Sequence, residues 1–174
     1  MKRFIPMMIT AILLCQPFLL PAQNASDPVL AVFDKYEDKE GVESVTISPS
    51  LLGLMKGNKA GDKKTQELIG KISGLKVLSI SDKPENTKKS LREQLLADLR
   101  PVLSKEYEQV MKVKSEGDRV ELYIRKNAGK NSTQSSALLF ITSEVHSVTV
   151  MHLSGVVDKE LVDAVIKGDI GITN

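Results

Sequence analysis

The sequence has few of the residues that enzymes and metal proteins most often use for chemistry. It contains one cysteine, Cys15, two histidines and no tryptophan among 174 residues. Because Cys15 lies in an apolar leader that we expect to be removed, the mature chain has no disulfide, no thiolate metal ligand and no cysteine nucleophile. Aromatic residues make up only 4% of the chain, which argues against surfaces that stack on sugars or single-stranded nucleic acid.

Residues 1–22 predict a secretory signal peptide. Two basic residues open this segment, an apolar run follows, and Ala22 ends a cleavage site with a small residue. A membrane anchor is the rival interpretation, but three prolines and a glutamine interrupt the apolar segment. Lipid attachment at Cys15 is disfavoured because large apolar residues precede it. We therefore expect an exported protein, periplasmic or secreted, that carries no lipid.

The remaining residues, 23–174, are enough for a single domain with one core. The formal net charge of +2 comes from Lys2 and Arg3, because the 24 basic residues less these two balance the 22 acidic ones. A neutral domain gives no reason to expect nucleic acid as a partner. Contact between loop lysines and a membrane surface stays open, although a solvated surface is the simpler interpretation.

Two apolar runs, residues 137–142 and 147–153, organise the predicted fold. They have the length and composition of central strands, and the four residues between them allow only an antiparallel hairpin. Four further strands, one of them from Leu75 to Ser81, and five helices follow from alternation, helix caps and turn residues. The predicted caps are Asp27, Ser48 and Asp158. The third helix is predicted to end at Gly74, and the long fourth helix to begin at residues 82–85 and to be kinked or divided at Pro101. The pattern predicts a two-layer α+β domain, with a largely antiparallel sheet of five or six strands and most helices on one face.

The hairpin strands are apolar on both faces, which is unusual for a sheet that is covered on one side. Leu138 and Phe140 alternate with Leu139 and Ile141, so something must cover the second face. The cover is either one of the chain's own helices, or a protein partner, a second copy of the chain or an apolar ligand. We expect Leu138 or Phe140 to contribute to a binding surface, with a homodimer or another protein partner on this sheet face.

A polar row on one strand is the second candidate binding surface. Glu121, Tyr123 and Arg125 alternate with apolar residues and therefore share one face of the strand. A row that simply faces solvent is the default interpretation of this pattern.

No residue pattern in the sequence predicts a catalytic or metal site. His146 and His152 lie about 20 Å apart along one strand, so they cannot share an ion, and we expect no metal and no cofactor. A Ser-His-acid arrangement would need one of these histidines and has no Gly-x-Ser-x-Gly turn. A hydrogen-bonded or half-exposed histidine is the simpler expectation. The sequence favours a non-enzymatic binding or interaction module, with a carboxylate-dependent hydrolase as the alternative.

The succession of core and turn positions resembles a known family over almost the whole mature chain. The positions that carry the resemblance are Phe33, Tyr36, Gly41, Val42, residues 45–48, Tyr107, Val110, Met111, residues 120–124, Leu138, Leu139, Ser154 and Gly155. The chain is similar to small exported proteins of Gram-negative bacteria catalogued as a domain of unknown function, family number 4252. The resemblance implies an envelope location and an α+β domain, and it assigns no catalytic or binding residue.

Overall fold

The structure, a computed structural model, describes residues 27–57, 63–81, 90–126 and 135–167. The elements of these residues, in chain order, are α1 (Pro28–Tyr36), β1 (Val42–Ile47), α2 (Pro49–Gly57), α3 (Lys63–Lys71), β2 (Ile72–Ser81), α4 (Leu91–Glu106), β3 (Tyr107–Ser115), β4 (Asp118–Arg125), β5 (Ser135–Ser143), β6 (Ser147–Val157) and α5 (Lys159–Lys167). The predicted signal peptide lies outside the described residues.

The six strands form one antiparallel sheet in the order β1-β2-β6-β5-β4-β3. The predicted hairpin of β5 and β6 lies at its centre, where Leu139 pairs with His152 and Ile141 with Val150. Strand β2 flanks β6 on one side and β4 flanks β5 on the other. The predicted α+β class and the antiparallel sheet are therefore confirmed.

Helices pack on both faces of the sheet. On what we call the first face, α1 and α4 contribute Val29, Phe33, Tyr36, Leu95, Leu99 and Leu103 to a core with Leu78, Ile80, Tyr107, Ala137, Leu139, Ile141, Val148 and Val150. On the second face, α2, α3 and α5 contribute Leu52, Leu68, Leu161 and Ala164 to a core with Ile72, Leu122, Leu138, Leu153 and Val157. Three of the five described helices share one face, but the domain has three layers rather than the predicted two. The reason is that β5 and β6 are apolar on both faces, and the chain's own helices cover both.

Three helices begin at the side-chain caps that the sequence predicts. Asp27, Ser48 and Asp158 each accept a backbone N–H from the first turn of the helix that follows. The predicted start of the long fourth helix, at residues 82–85, lies outside the described residues. Helix α4 continues through Pro101 to Glu106, so this proline does not divide it.

Strand β2 begins at Ile72, three residues earlier than predicted, and α3 ends at Lys71. Gly74 suggested the end of a helix, but it lies within β2 opposite Ser154, where the pairing shifts register. A glycine inside a strand often marks such an irregularity, because the local backbone departs from regular pairing.

Candidate functional site

The first face contains a buried polar cluster, which we call the Asp27 cluster: Asp27, Tyr107, Arg125 and His152. Oδ2 of Asp27 accepts a hydrogen bond from the Tyr107 hydroxyl at 2.5 Å and one from Nε2 of His152 at 3.1 Å. A guanidinium nitrogen of Arg125 lies 3.3 Å from the same oxygen. The other oxygen, Oδ1, caps α1 by accepting the N–H of Val29 at 3.0 Å. One carboxylate thus joins the start of α1 to β3, β4 and β6.

The partners of His152 decide which ring nitrogen carries the proton. Nε2 faces the Asp27 carboxylate, so in the neutral ring it is the donor and Nδ1 is an acceptor. Nδ1 lies 3.5 Å from the hydroxyl oxygen of Ser154. Phe33 contacts the imidazole edge-on, with ring centroids 6.4 Å apart, and helps to fix its plane. The imidazole is therefore held from both sides.

The cluster keeps a charged carboxylate beside a neutral phenol. Burial alone would raise the pKa of Asp27, but hydrogen bonds from His152, Tyr107 and the Val29 amide outweigh it and hold that pKa below the ordinary 3.8. Burial, and then the hydrogen bond to Asp27 and its negative charge, raise the pKa of Tyr107 well above 10.0. At neutral pH Asp27 is ionised and Tyr107 keeps its proton.

A cleft of about 570 Å³, which we call the α1 cleft, lies between α1 and the β1-β2-β6 part of the sheet. Its apolar lining comes from Leu30, Ala31, Ile47, Pro49 and Leu75, and its polar lining from Asp34, Thr46, Ser48, Ser73, Lys76, His152 and Ser154. The cleft has the size and mixed lining of a small-molecule site, and His152 of the Asp27 cluster forms part of its wall.

Lys76 is the charged side chain that β2 places in the α1 cleft. Its Nζ lies 2.7 Å from a carboxylate oxygen of Asp34 and 2.7 Å from one of Glu37, both on or beside α1. Burial would lower the pKa of Lys76, but its hydrogen bonds to Asp34 and Glu37 outweigh this effect and raise it. The lysine is therefore charged and already paired, and the three groups together carry one net negative charge.

The two residues predicted to form an apolar surface, Leu138 and Phe140, differ in burial. Leu138 is fully buried in the core of the second face, so the expectation that it reaches a surface is wrong, because helices of the same chain cover it. Phe140 lies on the same face, is half-buried and packs against this core. A protein partner or homodimer on this face stays a prediction.

The predicted polar row does share one face, but that face is covered by helices and does not simply face solvent. Arg125 belongs to the Asp27 cluster. Glu121, with only 8% of its surface exposed, and Tyr123 line a separate cavity against α4. Nε2 of Gln109 donates to Glu121 at 3.0 Å and to the Tyr123 hydroxyl at 3.2 Å. The row is thus divided between two places on the first face.

The sequence predicts a helix cap at Asp27 but no part in a site, and it gives no role to Lys76. The available signal for Lys76 was a lysine within the apolar strand β2.

The two histidines have different surroundings: His146 lies in the turn between β5 and β6, and His152 is buried. Within the described ranges, no three His, Cys, Asp or Glu side chains are grouped to hold a metal ion. In the same ranges, none of the helices has the length and apolar character needed to cross a membrane.

The fold and cluster define an α+β sheet domain with a polar site built under its first helix. Residues 36–165 match the family model described as "Domain of unknown function (DUF4252)", and the chain belongs to this family. Comparison with curated proteins and with solved structures gives no match. The matched region includes Tyr107, Arg125 and His152 of the Asp27 cluster, whereas Asp27 itself precedes it.

Proposed function

We propose that this protein is an exported, non-enzymatic binding module that holds a small amphipathic molecule in the α1 cleft. The observation that carries the proposal is the cleft itself, with about 570 Å³ of space, a partly apolar lining and a hydrogen-bonded imidazole in its wall. Sites for small molecules are typically concave and mostly apolar, with a few fixed polar groups that orient the ligand. The signal peptide pattern of residues 1–22 supports export.

The charges around the α1 cleft favour a ligand without negative charge. Lys76 is paired with both Asp34 and Glu37, and the net charge of −1 on these three groups would repel an anionic ligand. Nδ1 of His152 offers an acceptor in the wall of the cleft. The ligand is therefore an apolar molecule that is neutral or carries an amine, with at least one N–H or O–H donor.

A serine hydrolase is the second candidate, because Ser154, His152 and Asp27 form a continuous chain. The Ser154 oxygen lies 3.5 Å from Nδ1, and Nε2 lies 3.1 Å from Asp27. Two observations favour binding over catalysis. The 3.5 Å separation is at the outer limit of a hydrogen bond. Ser154 also lies within β6, between Gly74 and Ala137 of the neighbouring strands, rather than on a sharp turn that presents a nucleophile.

Two fluorescent probes with the same ring system test the proposal. N-phenyl-1-naphthylamine is neutral and carries one N–H, and 8-anilino-1-naphthalenesulfonate adds a sulfonate to the same rings. We expect the neutral probe to bind with increased fluorescence, and the sulfonate to bind about tenfold more weakly or worse, because of the negative charge of the cleft.

The matched variants are Ala31→Trp and Ala97→Trp, which place the same side chain on two exposed helix positions. Ala31 lines the α1 cleft, so its replacement fills the cleft and abolishes binding. Ala97 lies on α4 and does not line this cleft, so its replacement leaves binding unchanged. Equal binding by both variants, or no binding of the neutral probe to the wild type, contradicts the site.

The non-enzymatic part of the proposal is tested separately. A fluorophosphonate ester labels serine nucleophiles by forming a bond from the serine oxygen to phosphorus and releasing fluoride. We expect no labelling of the folded protein. Labelling that is lost in Ser154→Ala would show that the second candidate is correct.

A further inference from the structure

A second cavity, which we call the α4 cavity, lies on the first face between α4 and strands β3, β4 and β5. It has a volume of about 200 Å³. Its lining residues are Leu96, Leu99, Arg100, Leu103, Lys112, Arg119, Glu121, Tyr123, Ile141 and Ser143. At about 30 Å³ per water molecule, this volume is equivalent to roughly six or seven waters. It suits a small ion with a few waters better than a drug-sized ligand.

The α4 cavity concentrates positive charge in a neutral domain. Arg100 of α4, Lys112 of β3 and Arg119 of β4 line it from three elements, and Glu121 is the one acidic residue in its lining, which leaves a formal charge of +2. Glu121 accepts from Gln109 at 3.0 Å and lies 3.7 Å from Nζ of Lys112. The Glu121 carboxylate is thus engaged by these two side chains.

The two arginines are the groups that the surrounding structure leaves available. In the described part of the chain, neither Arg100 nor Arg119 lies within ion-pair distance of a carboxylate. Arg100 lies on α4 and Arg119 on β4, so a helix and a strand each contribute one arginine to the lining. Guanidinium groups are well suited to oxyanions because they donate two parallel hydrogen bonds.

Two hydroxyl groups complete the lining. Tyr123 keeps its proton, because burial and the nearby Glu121 raise its pKa against the opposing effect of Arg119 and Arg100. Ser143 adds a second hydroxyl from β5. The Tyr123 hydroxyl is hydrogen-bonded to Glu121, so the cavity offers two cationic groups and the Ser143 hydroxyl around a small space.

We propose that the α4 cavity binds a phosphate group, with Arg100 and Arg119 as its main ligands. This inference is independent of the α1 cleft, which lies under a different helix and carries the opposite net charge. A phosphate dianion gains charge-assisted hydrogen bonds from both arginines, and the apolar residues Leu99, Leu103 and Ile141 line the same cavity.

The test is a titration of the purified protein with inorganic phosphate at low ionic strength, followed by calorimetry and by amide NMR shifts. We expect saturable binding with shift changes confined to residues around the cavity. Arg100→Gln and Arg119→Gln should each weaken binding about tenfold or more. Lys105→Gln removes the same charge from an exposed position of α4 outside the cavity and should leave binding nearly unchanged.

Glu121→Gln should change the affinity for phosphate in the opposite direction. It removes the one negative charge in the cavity lining while keeping an oxygen that can accept from Gln109, so phosphate should bind about threefold to tenfold more tightly. A variant that was merely destabilised would not show this gain.

The source of the phosphate group is decided by a parallel titration with vesicles containing phosphatidic acid. We expect free phosphate to bind and the vesicles not to bind, because the cavity lies between a helix and the sheet. Vesicle binding that requires Arg100 and Arg119 would assign the site to a lipid headgroup. The proposal is wrong if phosphate does not saturate the protein, or if all three charge-removing variants weaken its binding equally.

Discussion

The two faces of the sheet are held by different kinds of interaction. The core of the second face is entirely apolar and lies under three short helices. The first face has two helices, and in the described part of the chain it holds the three buried polar residues Asp27, Glu121 and His152. Apolar packing is not directional, whereas a buried hydrogen bond has one good geometry. The first face therefore fixes the positions of its helices more narrowly. The α4 cavity lies on this face, and the α1 cleft is lined both by α1 of this face and by Pro49 of α2.

Two aspartates with the same local role, one on each face, allow the two faces to be compared directly. Asp27 caps α1 and Asp158 caps α5, each by accepting an N–H from the first turn. Asp27 is buried with three further partners. Asp158 is partly exposed, and its additional partner, Lys71, is also partly exposed. Replacing each aspartate separates the contribution of a cap from that of a buried network.

The largest expected effect is that of Asp27→Ala. It removes the cap and leaves Tyr107, Arg125 and His152 without their shared acceptor, so the free energy of unfolding should fall by about 3 to 5 kcal/mol. Asp158→Ala should cost only about 1 kcal/mol, since it mainly removes a cap. Urea unfolding of both variants measures the difference. Equal losses would mean that the buried network adds nothing beyond a cap.

The strands and caps were predictable from sequence because their signals are local. Alternation, β-branched runs and the four-residue gap of the central hairpin depend on neighbours within a few positions, and they gave six strands that pair as an antiparallel sheet. The same pattern showed that both faces of the hairpin needed cover. It did not show that the chain's own helices cover both faces of the hairpin, because that depends on where each helix packs in the folded structure.

The Asp27 cluster could not be predicted, since its partners are remote along the chain. Tyr107 is 80 residues from Asp27, and His152 is 125 residues away. The sequence predicted Asp27 as a cap and His152 as a hydrogen-bonded or half-exposed histidine. The cap is confirmed, and His152 is hydrogen-bonded and buried rather than half-exposed. The packing of α1 on the first face of the sheet brings the two residues together. For the same reason, the sequence predicts that Glu121 and Tyr123 face solvent, whereas in the structure they lie against α4.

A second variant examines how tightly the second face is packed. Gly155 in β6 has a φ of +143°, and a Cβ there would overlap the carbonyl oxygen of Lys71 and lie 3.0 Å from Cα of Ile72. Gly155→Ala should therefore cost about 2 to 4 kcal/mol in unfolding free energy. Gly74→Ala is the control in the adjacent strand, where the nearest atom to a Cβ is 4.0 Å away. Similar thermal melting of the two variants would contradict this account of the close approach.

The ionisation of the Asp27 cluster predicts how stability changes in acid. The pKa of Asp27 lies below its ordinary 3.8, so its stabilising contribution is complete above that value and is lost as the pH falls through the lower, folded-state pKa. The stability difference between wild type and Asp27→Asn should shrink by up to about 1 kcal/mol between about pH 6 and about pH 3. Urea unfolding at several pH values measures it. A difference that does not change with pH would mean that the pKa of Asp27 is the same in the folded and unfolded protein.

The smallest expected effect comes from the edge of the first face, where the buried Tyr36 of α1 donates to the partly exposed Asp98 of α4 at 2.7 Å. Burial, then this hydrogen bond and the charge of Asp98, raise the pKa of Tyr36 from 10.0 to about 12. The raised value means that the stabilisation is complete below 10.0 and is lost as the pH rises through about 12. Lys35 shares the same carboxylate, and its pair with Asp98 is largely open to solvent.

Asp98→Asn should therefore cost less than about 1 kcal/mol of stability. It should nevertheless lower the pKa of Tyr36 toward 10.0, although not fully, because burial remains the largest cause. Carbon NMR of the tyrosine rings in a pH titration measures this, with Tyr107 as an internal control because its partner is Asp27. If the pKa of Tyr36 is already near 10.0 in the wild type, Asp98 does not accept a hydrogen bond from Tyr36 in solution. If the stability loss instead approaches that of Asp27→Ala, the partly buried hydrogen bond at the edge stabilises this face as much as the buried cluster does, and the distinction between its interior and its edge fails.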